Sequence, residues 1–544
     1  MFRAVPQDRA PVIVLKEGTR RIYGKDVLMN NILVAKVVAE TMKTSLGPKG
    51  MDKMLVDRLN NIVVTNDGAT IMRLAQFKHP VAKMLVEIAK SQDIEVGDGT
   101  TTVVVLAGYL LINAADLIKK GIHPVTIAEG YRKSLKKALE VIDSSSMSIK
   151  ISDRETIIKA VKTSLSAKYV SQYSDHLANL AIDAVANIAE YSDDGWKVDL
   201  DNIKITVKAG GSIDESRLVR GIVLDKEVAH PDMPRKVENA KIALLDSPLD
   251  VKKPELSARV YLETAEQYKQ FLLEKENIVK EMIEKISNCG VNVIFCRMNI
   301  DEKVQHYLAR KSIMAVKRVK KSDLEKISKA TGAYILSTID ELSKDDLGKA
   351  KIVEERRMRA EDKMLFIDGC ENPKALSILL RGSTEEIVRE AERCLIDGLS
   401  IIRDLYVDNR LVCGGGSIEM EISLGLREYA ASLKGKEQLA VQAFADAIEV
   451  IPAQLASSCG MDPIVAITTL RAKHNEGQST IGINVIDGQY EDMYSIGVLE
   501  PAIVKKHVLK AATEAAVTIL KIDDIVVASS VAEKEEDTEG TEKE

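Results

Sequence analysis

The sequence predicts a multi-domain protein in which two mainly helical segments flank a central α/β segment. Three observations carry that reading. The chain has 544 residues, more than one hydrophobic core fills. Apolar residues at helical spacing dominate the N-terminal part to about Lys150 and again from Gly414 to about Thr518. Between about Gly221 and Asn372-Pro373, short β-rich runs alternate with helical segments, as they do in an α/β domain. One economical arrangement pairs the two helical ends in a single domain, with the α/β part as a nested insertion; periodicity is compatible with that pairing but does not establish it.

The elements follow in order. Asn30 to Ser45 reads as a helix closed by Gly47-Pro48, through which no helix continues. Met54-Leu55-Val56 and Ile62-Val63-Val64 read as two short strands around Asn60-Asn61. A second helix opens near Pro80, with Val81, Met84, Leu85, Ile88 and Ala89 on one face. A third begins just after Gly99 and runs to about Lys120; it is apolar nearly all round, which marks a helix buried at a domain centre. A polar connector at 153–220 carries an amphipathic helix around His176 to Tyr191. Strands are predicted at Ile242–Leu245, Val291–Cys296, Met314–Val316 and Tyr334–Leu336. A further strand at Leu376–Leu380, capped by Arg381-Gly382, leads into a long helix reaching about Tyr406.

Composition narrows the function classes. Apolar residues at 45% and charged ones at 29% are those of a soluble globular protein, and aromatics at 4% leave the cores to Ala, Val, Ile and Leu. Residues 533–544 hold seven acidic groups and two lysines, so most of the net charge of −6 sits there, and that end is expected to be a solvated tail. The near-neutral remainder has no basic footprint, so nucleic acid is not expected as a principal ligand. Six cysteines without a Cys-x-x-Cys pair read as structural thiols in a reducing compartment. No signal peptide is read at the start, and the longest apolar run, Val103 to Ile112, is short of a membrane span. A cytoplasmic protein without a membrane partner is the expectation.

The chemistry centres on Gly97-Asp98-Gly99-Thr100-Thr101-Thr102. Two glycines permit a tight turn, and three threonines lead directly into a buried helix. A helix start offers unpaired N–H groups and the positive end of a dipole, which suit phosphate. The threonine hydroxyls add donors, and Asp98 supplies a hard oxygen ligand for Mg²⁺. No Gly-Lys-Ser/Thr follows, so this is not a Walker A loop. Ser45-Leu46-Gly47-Pro48-Lys49-Gly50, Thr65-Asn66-Asp67-Gly68-Ala69-Thr70 and Val412-Cys413-Gly414-Gly415-Gly416 are further turns where backbone could approach a ligand. Each alone is more often a plain turn; their joint presence is what points to a nucleotide.

Together these blocks carry a resemblance. Leu46 to Met54, Thr65 to Thr70, Gln92 to Thr102, Asn372 to Ala375, Leu379 to Gly382, Gly414 to Gly416 and Ala512 to Ala516, in this order, make the sequence from Gly18 to Asp524 similar to the group II chaperonins, its archaeal branch above all. The resemblance implies a multi-domain chaperonin fold. A mainly helical equatorial domain would comprise 1–152 and 408–530, and an α/β intermediate domain 153–219 and 373–407. An α/β apical domain would occupy 220–372, with a helical lid protrusion at about 252–277, and a disordered acidic tail 531–544.

It also implies an ATP-dependent chaperone: an ATPase subunit of a double ring of identical or paralogous subunits, enclosing non-native client proteins. ATP and Mg²⁺ are the implied cofactors, with K⁺ a candidate accompanying cation. Phosphates would lie on Asp98, Gly99, Thr100, Thr101 and Thr102, on Gly68 and on the Leu46-Gly47-Pro48 turn, with Asp98 as the metal ligand. Gly414, Gly415, Gly416, Asn484 and Glu500 match ribose and base contacts. Asp397 matches the carboxylate that activates water, Asp67 a second carboxylate at the γ-phosphate, and Lys168 a lysine that senses it. Carboxylates and a bound cation are the groups phosphoryl transfer to water requires.

At the lid, Tyr268, Phe271 and Leu272 begin an apolar stripe at helical spacing continued by Val279, Met282, Ile283 and Ile286. From Val279 onward the stripe is expected to face a core; the first three residues suit substrate or lid contact equally well. Arg389, Gly398, Ser458 and Tyr109 depart from the family pattern without removing a ligand. They keep open a ring subunit of mainly structural or regulatory role. An unrelated small-molecule kinase using Asp98 and Asp397 is the rival from another class.

Overall fold

The computed structural model describes residues 20–23, 25–56, 60, 62–166, 171–193, 195–250, 265–358, 363–371 and 373–527. Lys168, the expected acidic tail and the first half of the expected lid segment lie outside them. The chain divides into two compact units: Met1–Ser146, Val412–Ile496 and Ala502–Glu544 in the first, Met147–Leu411 and Gly497–Pro501 in the second.

The first unit is mainly helical. Its centre is the helix Thr100–Lys119, whose residues Val103 to Leu111 bring seven fully buried apolar side chains plus Gly108. No amphipathic stripe is needed because other helices cover it on all sides: Lys25–Lys43, Pro80–Val96, Lys436–Ile448 and Ala502–Leu520 pack against it. Gly108 is small for a reason, since a Cβ there would overlap Ala39 of the first of these helices. The Thr100 helix and the stretch Lys436–Ser458 are long and apolar enough to cross a membrane, but most of each is buried in this core. At Tyr109 the phenol donates to Glu40 (2.6 Å) and accepts from Lys43 (2.7 Å), so this departure from the family pattern is satisfied locally. The strands Lys53–Val56 and Ile62–Thr65 pair antiparallel as the sequence predicts. A hairpin of Ile481–Asn484 with Gln489–Asp492 interrupts the stretch expected to be helical throughout.

The second unit is α/β. Its larger sheet has seven strands and is mixed: Lys236–Leu245 runs parallel to Val293–Cys296 and antiparallel to Gly348–Arg357, which continues antiparallel to Lys363–Asp368. The last two strands had no counterpart in the sequence reading. Side chains alternate between two cores, as a strand's period of two requires. Ala240, Ile242 and Leu244 join Leu324 and Ile327 on one face, whereas Ala243 and Leu245 join Ile283 and Ile286 on the other. Helices therefore cover both faces, which explains why these strands read as continuous apolar runs. A three-stranded sheet places Leu376–Gly382 between Ile203–Ala209 and Arg217–Val219. Arg381 and Gly382, expected as a cap, belong to that strand.

The helix Ala265–Asn288 carries the apolar stripe. Val279, Ile283 and Ile286 are buried in the sheet's core, as expected of that half. Tyr268, Phe271 and Leu272 stand in the helix's first turns, and their side chains lie outside the described residues. All six cysteines are free thiols, four of them buried.

Candidate nucleotide site

Two groups of expected residues come together in the first unit. In the first group, the helices Gly68–Leu74 and Thr100–Lys119 meet at their N-termini. A Cβ on Gly68 would stand 2.5 Å from Thr101 Oγ1, 2.7 Å from the Thr101 nitrogen and 2.8 Å from Thr100 Oγ1. Only glycine lets the two helix starts approach this closely. Asp67 caps its helix by accepting the Thr70 N–H (2.9 Å), and its own N–H donates to the buried Thr65 hydroxyl (3.1 Å). The longer helix is capped differently. Gly99, at φ +78°, stands at its N-cap and has no side chain to satisfy the first-turn N–H groups. A negatively charged group suits that end on both hydrogen-bonding and dipole grounds.

Asp98 lies between two left-handed glycines, Gly97 at φ +70° and Gly99, and its Oδ1 accepts the Gly99 N–H at 2.6 Å. Asp98, Thr101 and Thr102 are half-buried and Thr100 is buried, which places the acceptor and hydroxyl groups at the rim of the core.

The second group rests on the helix Val450–Ser458. Gly47, at φ +82°, sits against Leu455, and Gly416, at φ +81°, against Pro452, where a Cβ would come within 2.6 Å. Gly415 packs on Met493 and accepts the Ile483 N–H at 2.8 Å. The Leu46-Gly47-Pro48 turn is tied to the Ile481–Asp492 hairpin by Lys49, whose amine donates to the Ile486 carbonyl (3.0 Å). Leu46 itself is buried in the core, so this turn offers backbone and Pro48 to its surroundings. Asn484 is less available than its sequence match implies. Its amide donates to Asp487 (2.8 Å) and Glu491 (2.9 Å) and accepts from the Ile486 N–H (3.0 Å), which shapes the hairpin turn.

The remaining expected residues belong to the second unit. Asp397 stands half-buried on the helix Glu385–Val407, between exposed Ile396 and buried Gly398. A Cβ on Gly398 would meet Val161 at 3.2 Å, so glycine here brings that helix close to the helix Arg154–Leu165. Glu500 lies on the strand Leu499–Pro501, which the same helix holds through Thr163, whose hydroxyl accepts the Leu499 N–H (3.1 Å). Asp397 and Glu500 thus share one supporting helix. Lys168 follows that helix's last residue by three positions in sequence and lies outside the described residues.

Sequence reasoning missed the residues that hold the Asp98 turn. Gln92 was read only as part of a matching block, yet it is fully buried and its Nε2 donates to the Asp98 carbonyl at 2.6 Å. Its Oε1 lies 2.7 Å from Nδ1 of His507, whose imidazole burial pushes below its ordinary value. A buried glutamine five residues before a Gly-Asp-Gly turn is the one local signal that could have pointed there.

Among the described residues, no cluster of three or more His, Cys, Asp or Glu side chains could hold a metal by itself. Mg²⁺ needs no such cage, because it is usually held by one or two carboxylates together with the phosphates of its substrate. Asp98 at an uncapped helix start fits that donor set.

Comparison with known proteins agrees with this geometry. Residues 38–530 match the model of the TCP-1/cpn60 chaperonin family. The chain is 49% identical over 530 residues to a thermosome subunit of Pyrococcus horikoshii, covering 97% of this chain and 96% of that one. It is 50% identical over 542 residues to the thermosome subunit beta of Sulfolobus acidocaldarius (99% and 97%), and 48% identical over 530 residues to the thermosome subunit alpha of Archaeoglobus fulgidus (97% of each). With a family match across most of the chain and half its residues shared with archaeal subunits, the chain belongs to the TCP-1/cpn60 chaperonin family, as a subunit of the group II type.

Proposed function

We propose that this chaperonin subunit assembles into a cytoplasmic double ring of identical or paralogous copies and encloses non-native proteins, closing a built-in lid as ATP is hydrolysed. The single observation that carries the nucleotide reading is the meeting of Gly68 with Thr100 and Thr101, which sets two helix N-termini side by side next to Asp98. In this reading the first-turn N–H groups and hydroxyls of Thr100, Thr101 and Thr102 bind the phosphates. The Leu46-Gly47-Pro48 turn and Gly68 also line the phosphates, and the Gly414–Gly416 run lines ribose and base.

Asp98 holds Mg²⁺, which would neutralise charge on the phosphate oxygens, with K⁺ as an accompanying cation. Asp397 orients the attacking water and takes its proton, Asp67 adds a second carboxylate, and Lys168 reads the γ-phosphate. Asn484 and Glu500 contact ribose and base. The phosphate turns and Asp397 belong to different compact units. In this scheme hydrolysis is coupled to domain motion, which is how a nucleotide drives closure. The equatorial, intermediate and apical divisions and the lid at about 252–277 are part of the same proposal.

Electron microscopy and light scattering of the purified protein test it together with ATPase and refolding assays. About sixteen subunits of 59.8 kDa make a ring assembly of nearly a megadalton. A monomer or dimer would overturn the reading in favour of an unrelated kinase. A ring that binds ATP but neither hydrolyses it nor refolds a client would favour a structural or regulatory subunit.

A further inference from the structure

We infer that Gln92 and His507 are positioning residues that lock the orientation of the Asp98–Gly99 peptide, and with it the phosphate-binding turn. The inference rests on the nucleotide reading above and deepens it. Gln92 grips the turn at two points: its backbone carbonyl accepts the Gly97 N–H (3.2 Å), and its side-chain Nε2 donates to the Asp98 carbonyl (2.6 Å). The second grip opposes a specific motion. Glycine populates positive and negative φ about equally, so a peptide that ends in Gly99 can flip at little steric cost. Flipping it would turn the Asp98 carbonyl toward the phosphate side and carry the Gly99 N–H away from Asp98 Oδ1, which it now meets at 2.6 Å. An oxygen facing a phosphate is repulsive where a hydrogen-bond donor is needed.

His507 holds the far end of the Gln92 amide in place. The Asp98 carbonyl needs a donor, so Gln92 must present Nε2 to it and Oε1 to His507. Nδ1 of His507 therefore carries hydrogen and donates to Oε1 at 2.7 Å. With the glutamine fully buried, an amide turned the other way would set its oxygen against the Asp98 carbonyl oxygen, which is costly away from water. The relay thus runs from the helix Ala502–Leu520 through the helix Pro80–Val96 to the start of the helix Thr100–Lys119. Val504 and Val508 reinforce it, since a Cβ on Gly99 would meet Val508 at 2.9 Å and Gln92 Nε2 at 3.2 Å.

The test uses the full-length assembled protein and four variants: Gln92→Leu, Gln92→Glu, His507→Phe and His507→Asn. Losing one such hydrogen bond is expected to raise the KM for ATP about five- to tenfold with kcat changed less than about twofold. Gln92→Leu and His507→Phe should show this. Gln92→Glu should be at least as impaired, since a carboxylate cannot donate to the carbonyl. His507→Asn should recover most of the affinity, because its amide can supply the missing donor.

Hydrogen exchange of the Gly97–Gly99 amides without nucleotide gives a readout independent of ATP chemistry. It should accelerate in His507→Phe and return toward wild type in His507→Asn. Unchanged exchange in both Gln92→Leu and His507→Phe overturns the relay, as does equal damage in His507→Asn and His507→Phe. Accelerated exchange in a protein that binds no ATP would keep the relay and overturn the nucleotide reading.

Discussion

Gly68 and Thr101, 33 residues apart in sequence, are in such close contact that a single added carbon on the glycine would lie 2.7 Å from the threonine's backbone nitrogen. Two effects of Gly68→Ala oppose each other. Alanine is the better helix former by about 1 kcal/mol, but the new carbon meets backbone that cannot yield without moving one helix start from the other. The steric effect wins. The variant is expected to bind ATP at least tenfold more weakly while the fold, followed by circular dichroism, persists. Wild-type affinity in a titration would show that the closeness of the two helices does not serve the nucleotide.

Asp397→Ala separates binding from chemistry. If this carboxylate activates water, the variant retains ATP affinity within about twofold and loses hydrolysis by at least 10²-fold, the usual scale for a positioned acid–base group. Phosphate release under single-turnover conditions checks it, and unchanged turnover removes Asp397 from the mechanism.

Glu449 predicts how the first unit responds to acid. Its nearly buried carboxylate accepts from Arg471 Nε (2.9 Å), from Arg427 (3.1 Å) and from the Ser423 hydroxyl (2.6 Å). Burial pushes the carboxyl up, but Arg471, Ser423 and Arg427 together outweigh it and hold the group below its ordinary range. A carboxyl depressed in the folded state contributes stability that is present above its unfolded pKa and lost as pH falls through the folded one. Glu449→Gln should therefore cost about 2–3 kcal/mol at pH 7, where it takes the carboxylate partner from Arg471 and leaves Arg427 only its ion pair with Asp446. The gap should shrink as pH drops below the carboxylate range, where the wild type loses its own charge. Calorimetric melting at pH 7 and at acid pH measures both; a gap that is constant with pH would rule out the ion pairs as its source.

Ile283→Ala tests the assignment of the stripe. Ile283 is 2% exposed between the helix Ala265–Asn288 and the larger sheet. Its truncation should destabilise the second unit by about 2–5 kcal/mol, through lost transfer energy and the cavity left behind. A change below 0.5 kcal/mol in denaturant unfolding would mean that this half of the helix leaves the sheet readily.

Much of this protein was legible in its sequence because the relevant signals are local. The Thr100–Lys119 helix announces itself by apolar residues on every side, and its boundaries follow from Gly99 and the polar residues after Ile118. Met314–Val316 was found at its full extent because a short buried strand reads as a continuous apolar run. The hairpin at 481–492 and the antiparallel strands Gly348–Arg357 and Lys363–Asp368 were not legible. Gly348–Arg357 and Gln489–Asp492 are polar along much of their length, so their partners decide that they form strands, whereas Lys363–Asp368 carries a buried apolar run, Met364–Ile367, that the sequence reading passed over.

The site divides along the same line. The sequence by itself determined that a turn with two glycines precedes a buried helix start, because backbone freedom and helix capping are properties of a few consecutive residues. It also determined the family, through ordered blocks spread over the chain. Only the tertiary structure decided that Gly68 lies against Thr101, that Asn484 is engaged in its own hairpin, and that Gln92 and His507 hold the Asp98 carbonyl. These are contacts between helices and turns separated by tens to hundreds of residues. Packing in a core sets them, and no local pattern encodes which buried polar group will meet which.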